Sequence, residues 1–434
     1  MKLNVLLVNP WIYDFAAYNL WARPLGLLKV AQYLSCFDTE LSFIDCTDSF
    51  KINKNGAGRY REETVKKPVL LKVIPRLYKR YGITPDDFVD KLKSSPLPDV
   101  VLMTSMMSYW YPGVQETIAI IRDRIGQTPI ILGGIYATLY QEHASHCSGA
   151  DFIYKGSLSE ALHIALHTFG FRLRRKKAQV PYYRLNLYEN YPFAPLLTSE
   201  GCTFRCPYCA SSLLVASRKR RSPEDILREI EDLHAIGIRD YAFYDDALLA
   251  DADTHIKPLL RGIIRAGLNI RFHSPNGLHA RFIDQELATL MKAVNFLTIR
   301  LSLETVDKKM QEITGAKVNN EDLARAVRYL KEQGFTGHEV GVYLMYGLPK
   351  QVLAEVREGV RFLKTLGVRI SLTEFSPIRG TLCWDELVKE KIIDDDIDPL
   401  LTNNTVFSYL YSGCGWDEVE KMKLDVKKYN ETLS

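Results

Sequence analysis

The stretch Ser199-Glu200-Gly201-Cys202-Thr203-Phe204-Arg205-Cys206-Pro207-Tyr208-Cys209 sets three thiols at a C-x3-C-x2-C spacing, directly after the apolar run Pro195-Leu196-Leu197-Thr198. Thiolates this close on a loop containing Gly and Pro can converge on one centre, either a metal ion or an iron–sulfur cluster. A structural zinc site takes four protein ligands at paired spacings. No fourth Cys or His follows nearby; the next His is His234, beyond a helical stretch. Three ligands leave one coordination position open, and an open position allows chemistry.

Downstream of the thiols the chain alternates strand and helix. Strand-like runs fall at 196–198, 241–244, 270–273, 297–303, 339–344 and 370–375, with helical patterns at 223–235, 254–266, 284–293, 321–332 and 354–366. Ser222 can cap the first helix, with Pro223 in its first position. Six such units suit a partial (β/α)6 barrel over 195–382, whose active site is built from loops at the strand carboxyl ends. The thiol loop then lies at the mouth. Polar residues stand at other strand ends: Asp245 and Asp246 after the second, Arg281 in the loop after the third, Ser302 and Glu304 at the fourth. An Asp pair also caps helices, and an Arg also makes surface ion pairs. The apolar run 341–349 can be ordinary core.

The N-terminal third reads as a parallel, doubly wound α/β domain over 1–170. Its strands are at 3–8, 41–44, 100–103, 130–132 and 151–154, with helices opening at Pro24 and Pro112. Ligands of such sheets sit beyond the strand carboxyl ends. An insert at 51–98 holds a basic, turn-rich section and Pro75-Arg76-Leu77-Tyr78-Lys79-Arg80-Tyr81. Arg and aromatic residues together can grip phosphate and stack on rings, but the favoured reading is a solvated connection. Residues 171–194 form a charged, proline-punctuated linker containing Lys177 and Pro181-Tyr182-Tyr183, and 383–434 reads as a cap over the barrel mouth carrying substrate specificity.

Composition bounds the class. With 434 residues, 47% hydrophobic, 25% charged and net charge +4, the chain is an ordinary multidomain globular protein. The charge is too small to argue for nucleic acid. No apolar run reaches membrane length. The start Met1-Lys2-Leu3-Asn4 is followed by no secretory h-region. Eight Cys with three clustered do not look like a disulfide framework, so a reducing cytoplasm is expected. Cys36, Cys46 and Cys147 are expected to be buried, and Cys383 and Cys414 are too isolated for a second cluster. The basic run Arg218-Lys219-Arg220-Arg221 is read as a solvated face over an anion attractor.

The thiol stretch, with aromatic Tyr208 before the third Cys, resembles the signature of the radical S-adenosylmethionine (SAM) superfamily. The resemblance implies that Cys202, Cys206 and Cys209 hold a 4Fe–4S cluster. It implies that Asp245 and Asp246 meet the amino group of S-adenosylmethionine, Arg281 its carboxylate, and Ser302 and Glu304 its ribose. Tyr343 belongs to a segment that lies against adenine, and Ser376 to a turn after the sixth strand. No further catalytic residue is assigned.

Val8-Asn9-Pro10, Pro24-Leu25-Gly26-Leu27, Asp45, Pro98-Asp99-Val100-Val101 and Leu132-Gly133-Gly134 look like the cobalamin-binding-type domain that precedes many of these enzymes. That likeness adds Asn9, Ser105, Trp110, Gly133 and Gly134 as cofactor-binding residues. Two departures count: the D-x-H-x-x-G ligand motif is absent, Asp14 being followed by Phe15 and Ala16, and Lys155-Gly156-Ser157-Leu158-Ser159-Glu160 replaces an acidic turn. Bound cobalamin is the expectation; a pocket filled by Met106, Met107, Tyr109, Trp110 and Tyr111 is the alternative. The implied activity is cleavage of S-adenosylmethionine to a 5′-deoxyadenosyl radical that takes hydrogen from a substrate, followed by methyl transfer. Rearrangement, cyclisation or dehydrogenation without corrin is the alternative, and a non-catalytic zinc module the distant one. A flavodoxin- or ferredoxin-type electron donor is the implied partner; a membrane and nucleic acid are not.

Overall fold

The computed structural model describes residues 2–52, 57–156, 158–176, 185–413 and 415–433. Ser157, Cys414 and the linker residues Lys177, Pro181, Tyr182 and Tyr183 lie outside them. The chain divides into two compact units, Met1–Tyr191 with Asp398–Leu401, and Pro192–Ile397 with Thr402–Ser434.

In the first unit, five parallel strands are β1 (Leu3–Asn9), β2 (Thr39–Asp45), β3 (Val100–Met103), β4 (Ile130–Leu132) and β5 (Phe152–Ile153). Their order is β2-β1-β3-β4-β5, the doubly wound order in which direction reverses between β1 and β3. The inner strands are unbroken apolar runs because helices cover both faces. Val5, Leu7, Val100, Leu102 and Ile131 pack with Leu27, Ala31, Leu162 and Leu166 in one core. Residues 51–98 are more than a solvated connection. Phe50–Ile52 pairs with Gly58–Tyr60, and Lys79–Tyr81 pairs with both Ile12–Asp14 and Glu62–Thr64. These strands wall a pocket of about 750 Å³ floored by Phe50, Tyr60 and Tyr81. Lys79 pairs with Glu62 at 2.6 Å, and Arg80 with Glu116 at 2.9 Å, so the basic residues of this section are partly spent in holding it together.

The second unit holds six parallel strands: β6 (Ala194–Leu196), β7 (Asp240–Phe243), β8 (Arg271–His273), β9 (Phe296–Glu304), β10 (Val340–Tyr346) and β11 (Arg369–Glu374). They are neighbours in chain order, with Leu278–His279 also paired to β9. Successive strands can neighbour one another this way because a helix carries each right-handed return. The helix starts are written in the sequence: Ser222, Asp284 and Asn319 each accept a hydrogen bond from the backbone three residues on. Phe243, Phe272 and Phe296, on adjacent strands, stack with centroids 5.2 and 5.7 Å apart. Burying each is worth roughly 2–3 kcal/mol.

The tail is not one cap. The backbone N–H of Cys383, in the helix Leu382–Lys389, donates to Pro207 of the thiol loop at 2.9 Å. The helix Trp416–Glu431 lies instead along β11, where the Asn430 amide bonds both backbone groups of Ile370 at 2.9 and 2.8 Å. It satisfies polar groups that an edge strand would leave open. Cys46 is buried, but Cys36 is half-buried and Cys147 exposed.

Candidate metal centre

The thiol loop is tied at its base. Ser199–Glu200 pairs antiparallel with Lys219–Arg220, closing 201–218 into a loop at the carboxyl end of β6. Asp245, 3% exposed, clamps the entry. Its carboxylate accepts from the N–H (3.1 Å) and hydroxyl (2.6 Å) of Thr198 and from the N–H and hydroxyl of Ser199, both 2.6 Å. Thr198 has thus donated its only proton, so His255 Nε2, 2.9 Å away, must donate to it. Burial and Arg218 and Arg220 hold His255 neutral, its pKa down at about 4. Lys219 and Arg220 of the basic run are exposed, as a solvated face would have them, but the run also ties the loop down: Arg218 and Arg220 pair with Asp251 at 2.6 and 3.3 Å, and Arg221 pairs with buried Glu229.

Cys202, Cys206 and Cys209 are free and half-buried. Burial pushes the Cys202 and Cys206 thiols up, so without a cation there they favour the protonated form. They influence one another electrostatically, yet among the described residues only Asp253, Asp284 and Glu286 bring three ligand atoms within 4.8 Å of one another. The buried Lys257 ammonium pairs with all three. Three free thiols on one loop, with no fourth Cys or His among its residues, are a donor set that suits an iron–sulfur cluster with one position left open.

Opposite the loop, the pairing of β9 with β10 shifts register between Ser302 and Glu304, and Glu304 takes φ +68°. A bulge of this kind re-aims a side chain. Glu304, buried, pairs with Lys317 Nζ at 2.6 Å. Lys317 stands 5.6 Å from the Tyr208 ring, and its charge acts on Cys202 and Cys206. Tyr208 is pushed far above the ordinary tyrosine range by burial, Glu304 and Cys206. Ser302 is buried with its hydroxyl against Gly277, and Tyr343 donates to the Pro275 carbonyl at 2.7 Å. Phe204 stacks on buried His279 at 4.7 Å, with Arg281 5.9 Å from the ring.

Several of the expected site residues are held by bonds within the protein. All four hydrogen bonds to Asp245 are internal, so it holds the loop and is not free for an ammonium. Asp246 is exposed beside it, and its charge is felt at Cys202. Arg281 has the surface ion pair, with Asp322 at 3.7 Å. The Ser376 hydroxyl donates to the Thr402 carbonyl at 2.6 Å and is occupied. In the first unit, Asn9 donates to Asp45 and Thr47 at 2.7 and 3.2 Å, Ser105 to the Gly133 carbonyl at 2.7 Å, and Trp110 to Asp14 at 2.7 Å. Gly134, φ +94°, lies so close to Ser105 that a Cβ would meet its carbonyl oxygen at 2.2 Å, and one on Gly133 would meet Tyr154 at 3.0 Å. These residues build the strand ends and face one another. Sequence reasoning missed Lys317, His255 and His279. Lys317 and His255 lie outside the motifs, His279 lies two residues before Arg281 with no role marked by the sequence, and only the folded chain brings them to the thiol loop.

Residues 196–363 match the family model described as the radical SAM superfamily. An uncharacterized methyltransferase, PH0819, of Pyrococcus horikoshii is 27% identical over 208 residues, 47% of this chain and 44% of that protein. The ribosomal protein uS12 methylthiotransferase RimO of Thermotoga maritima is 24% identical over 48% of this chain and 49% of its own length. The chain thus spans about half the length of the curated relatives it matches. Among solved structures, the radical S-adenosylmethionine methyltransferase TsrM of Kitasatospora setae, with cobalamin and a [4Fe-4S] cluster, superposes with TM-score 0.64 at 18% identity, over 90% of this chain and 75% of that one. The cobalamin-dependent enzyme OxsB gives 0.54 at 13% identity, over 98% and 61%. At these identities the likeness is one of fold, and it spans both units.

Proposed function

We propose that this chain, whose residues 196–363 match the radical SAM superfamily model, is a radical SAM enzyme that transfers a methyl group with the help of cobalamin. The observation that carries the reading is the triad of free thiols, without a fourth protein ligand, on the loop that follows the first strand of an open six-stranded sheet. When bound, the cluster supplies the electron that cleaves S-adenosylmethionine to methionine and a 5′-deoxyadenosyl radical. The protein's own part is to orient and to exclude water. Asp246 takes the amino group, since Asp245 is committed to the loop. Arg281 offers donors for a carboxylate, Ser302 and Glu304 line the ribose side, and Tyr343 and Tyr208 give apolar surface for the adenine.

Cobalamin enters through the fold of Met1–Tyr191 and its likeness to the two structures above. Asn9, Ser105 and Trp110 are bonded within the unit, so no step is assigned to them. No helix among the described residues is long and apolar enough to cross a membrane, and all described cysteines are free, which suits the cytoplasm and a flavodoxin- or ferredoxin-class donor there. The test is anaerobic reconstitution with iron, sulfide and hydroxocobalamin. The expected results are 5′-deoxyadenosine from S-adenosylmethionine under reduction, and a corrin absorbance that stays with the protein through gel filtration. Absence of 5′-deoxyadenosine sinks the radical reading; loss of the corrin alone sinks the methyl-transfer reading.

A further inference from the structure

Lys317 is a lysine kept out of water, its side chain only 13% exposed. Lysine ammonium groups are strongly hydrated and are rarely buried without a reason. Here the backbone is shaped to bury one. Gly315 and Ala316 are successive residues at φ +104° and +47°, and Glu304 adds φ +68°. A non-glycine residue held in that region costs on the order of 1–3 kcal/mol. Gly315 also lies against the thiol loop: a Cβ there would meet Cys206 Cα at 3.3 Å and Sγ at 3.4 Å. The turn therefore has to be glycine, and two residues on, the chain sets the Lys317 ammonium 5.6 Å from the ring of Tyr208 in the thiol loop. A buried ion pair is a poor device for stability alone, since apolar side chains of similar volume often do as well or better. Lys317 is the leading charge acting on Cys206 and also acts on Cys202.

We infer that Lys317, held by Glu304, sets the reduction potential of the centre on Cys202, Cys206 and Cys209 by placing a fixed positive charge beside it. The inference rests on the radical SAM reading. Reduction adds one electron to the cluster from an external one-electron donor. The added negative charge is stabilised by a cation that solvent does not screen.

The full chain is reconstituted anaerobically as wild type, Lys317→Met, Lys317→Arg, Glu304→Gln and the double variant Lys317→Met/Glu304→Gln. Iron and sulfide are counted first. The cluster is then titrated with dithionite and followed by electron paramagnetic resonance, without S-adenosylmethionine. K317M is expected to shift the potential negative, E304Q to shift it positive, and K317R to restore it. The double variant falls between K317M and wild type. Should K317M lose its cluster because Glu304 is left buried and unpaired, the double variant carries the comparison. Equal potentials at equal iron content overturn the inference. A wild type that takes up neither iron nor sulfide overturns the radical SAM reading beneath it, and the first count tells the two failures apart.

Discussion

At the scale of single residues, Asp245 shows how a side chain can belong to a site without touching a ligand. Thr198 and Ser199 present two N–H groups and two hydroxyls to it in a buried place. Leaving buried donors unmet costs about 1–3 kcal/mol each. Asp245→Ala is therefore expected to destabilise the protein by roughly 3 kcal/mol or more, and to lower iron uptake although every Cys remains. Urea unfolding and an iron assay on the same preparation check this; stability within about 0.5 kcal/mol of wild type, the range of surface substitutions, would count against it. The residue type at that strand end was readable from sequence. The direction of its carboxylate was not, because it depends on hydroxyls 46 and 47 residues away. Lys317 was hidden for a similar reason: nothing in Gly315-Ala316-Lys317 advertises a cation beside Cys206 until the turn is folded.

At the scale of elements, the alternation of apolar runs with capped helices was legible almost to the residue. The helix Pro223–Ala235 begins at its Ser222 cap, and β3 and β4 coincide with their apolar runs. Local periodicity and caps fix such elements, so one sequence suffices. The insert and the tail were harder. Short antiparallel pairs such as Phe50–Ile52 with Gly58–Tyr60 carry three residues each, too few for period-two alternation to stand out. The role of the helix Trp416–Glu431 depends on a distant edge strand. The turn at Gly315 gives the element-scale prediction. Gly315→Ala forces a left-handed alanine against Cys206, so reconstituted iron content is expected to fall while helical circular dichroism is kept. Unchanged iron content would mean that the turn does not shape the loop.

At the scale of the whole molecule, the second unit buries three histidines in neutral form. Burial depresses His255 and His279 to about 4, and lowers His273 despite Asp240 beside it. Each has a folded pKa below its unfolded value of about 6.5, so the unfolded chain binds more protons as acid is added. Their contribution is present above about pH 6.5 and is lost as pH falls toward 4. Between those limits each of His255 and His279 lowers stability by about 1.4 kcal/mol per pH unit. Denaturant midpoints between pH 7 and pH 5 are expected to fall, and less steeply in His255→Gln; an equal slope in both proteins would contradict it. What joins these scales is the claim that Cys202, Cys206 and Cys209, three free thiols with no fourth protein ligand on their loop, hold a cluster and not a single ion. The direct measurement is metal and acid-labile sulfide analysis of the anaerobically reconstituted chain beside its Cys202→Ala/Cys206→Ala/Cys209→Ala variant. Iron and sulfide at about four of each per chain, absent in the triple variant, is the result this account predicts. One zinc without sulfide, or iron that persists in the variant, would contradict it.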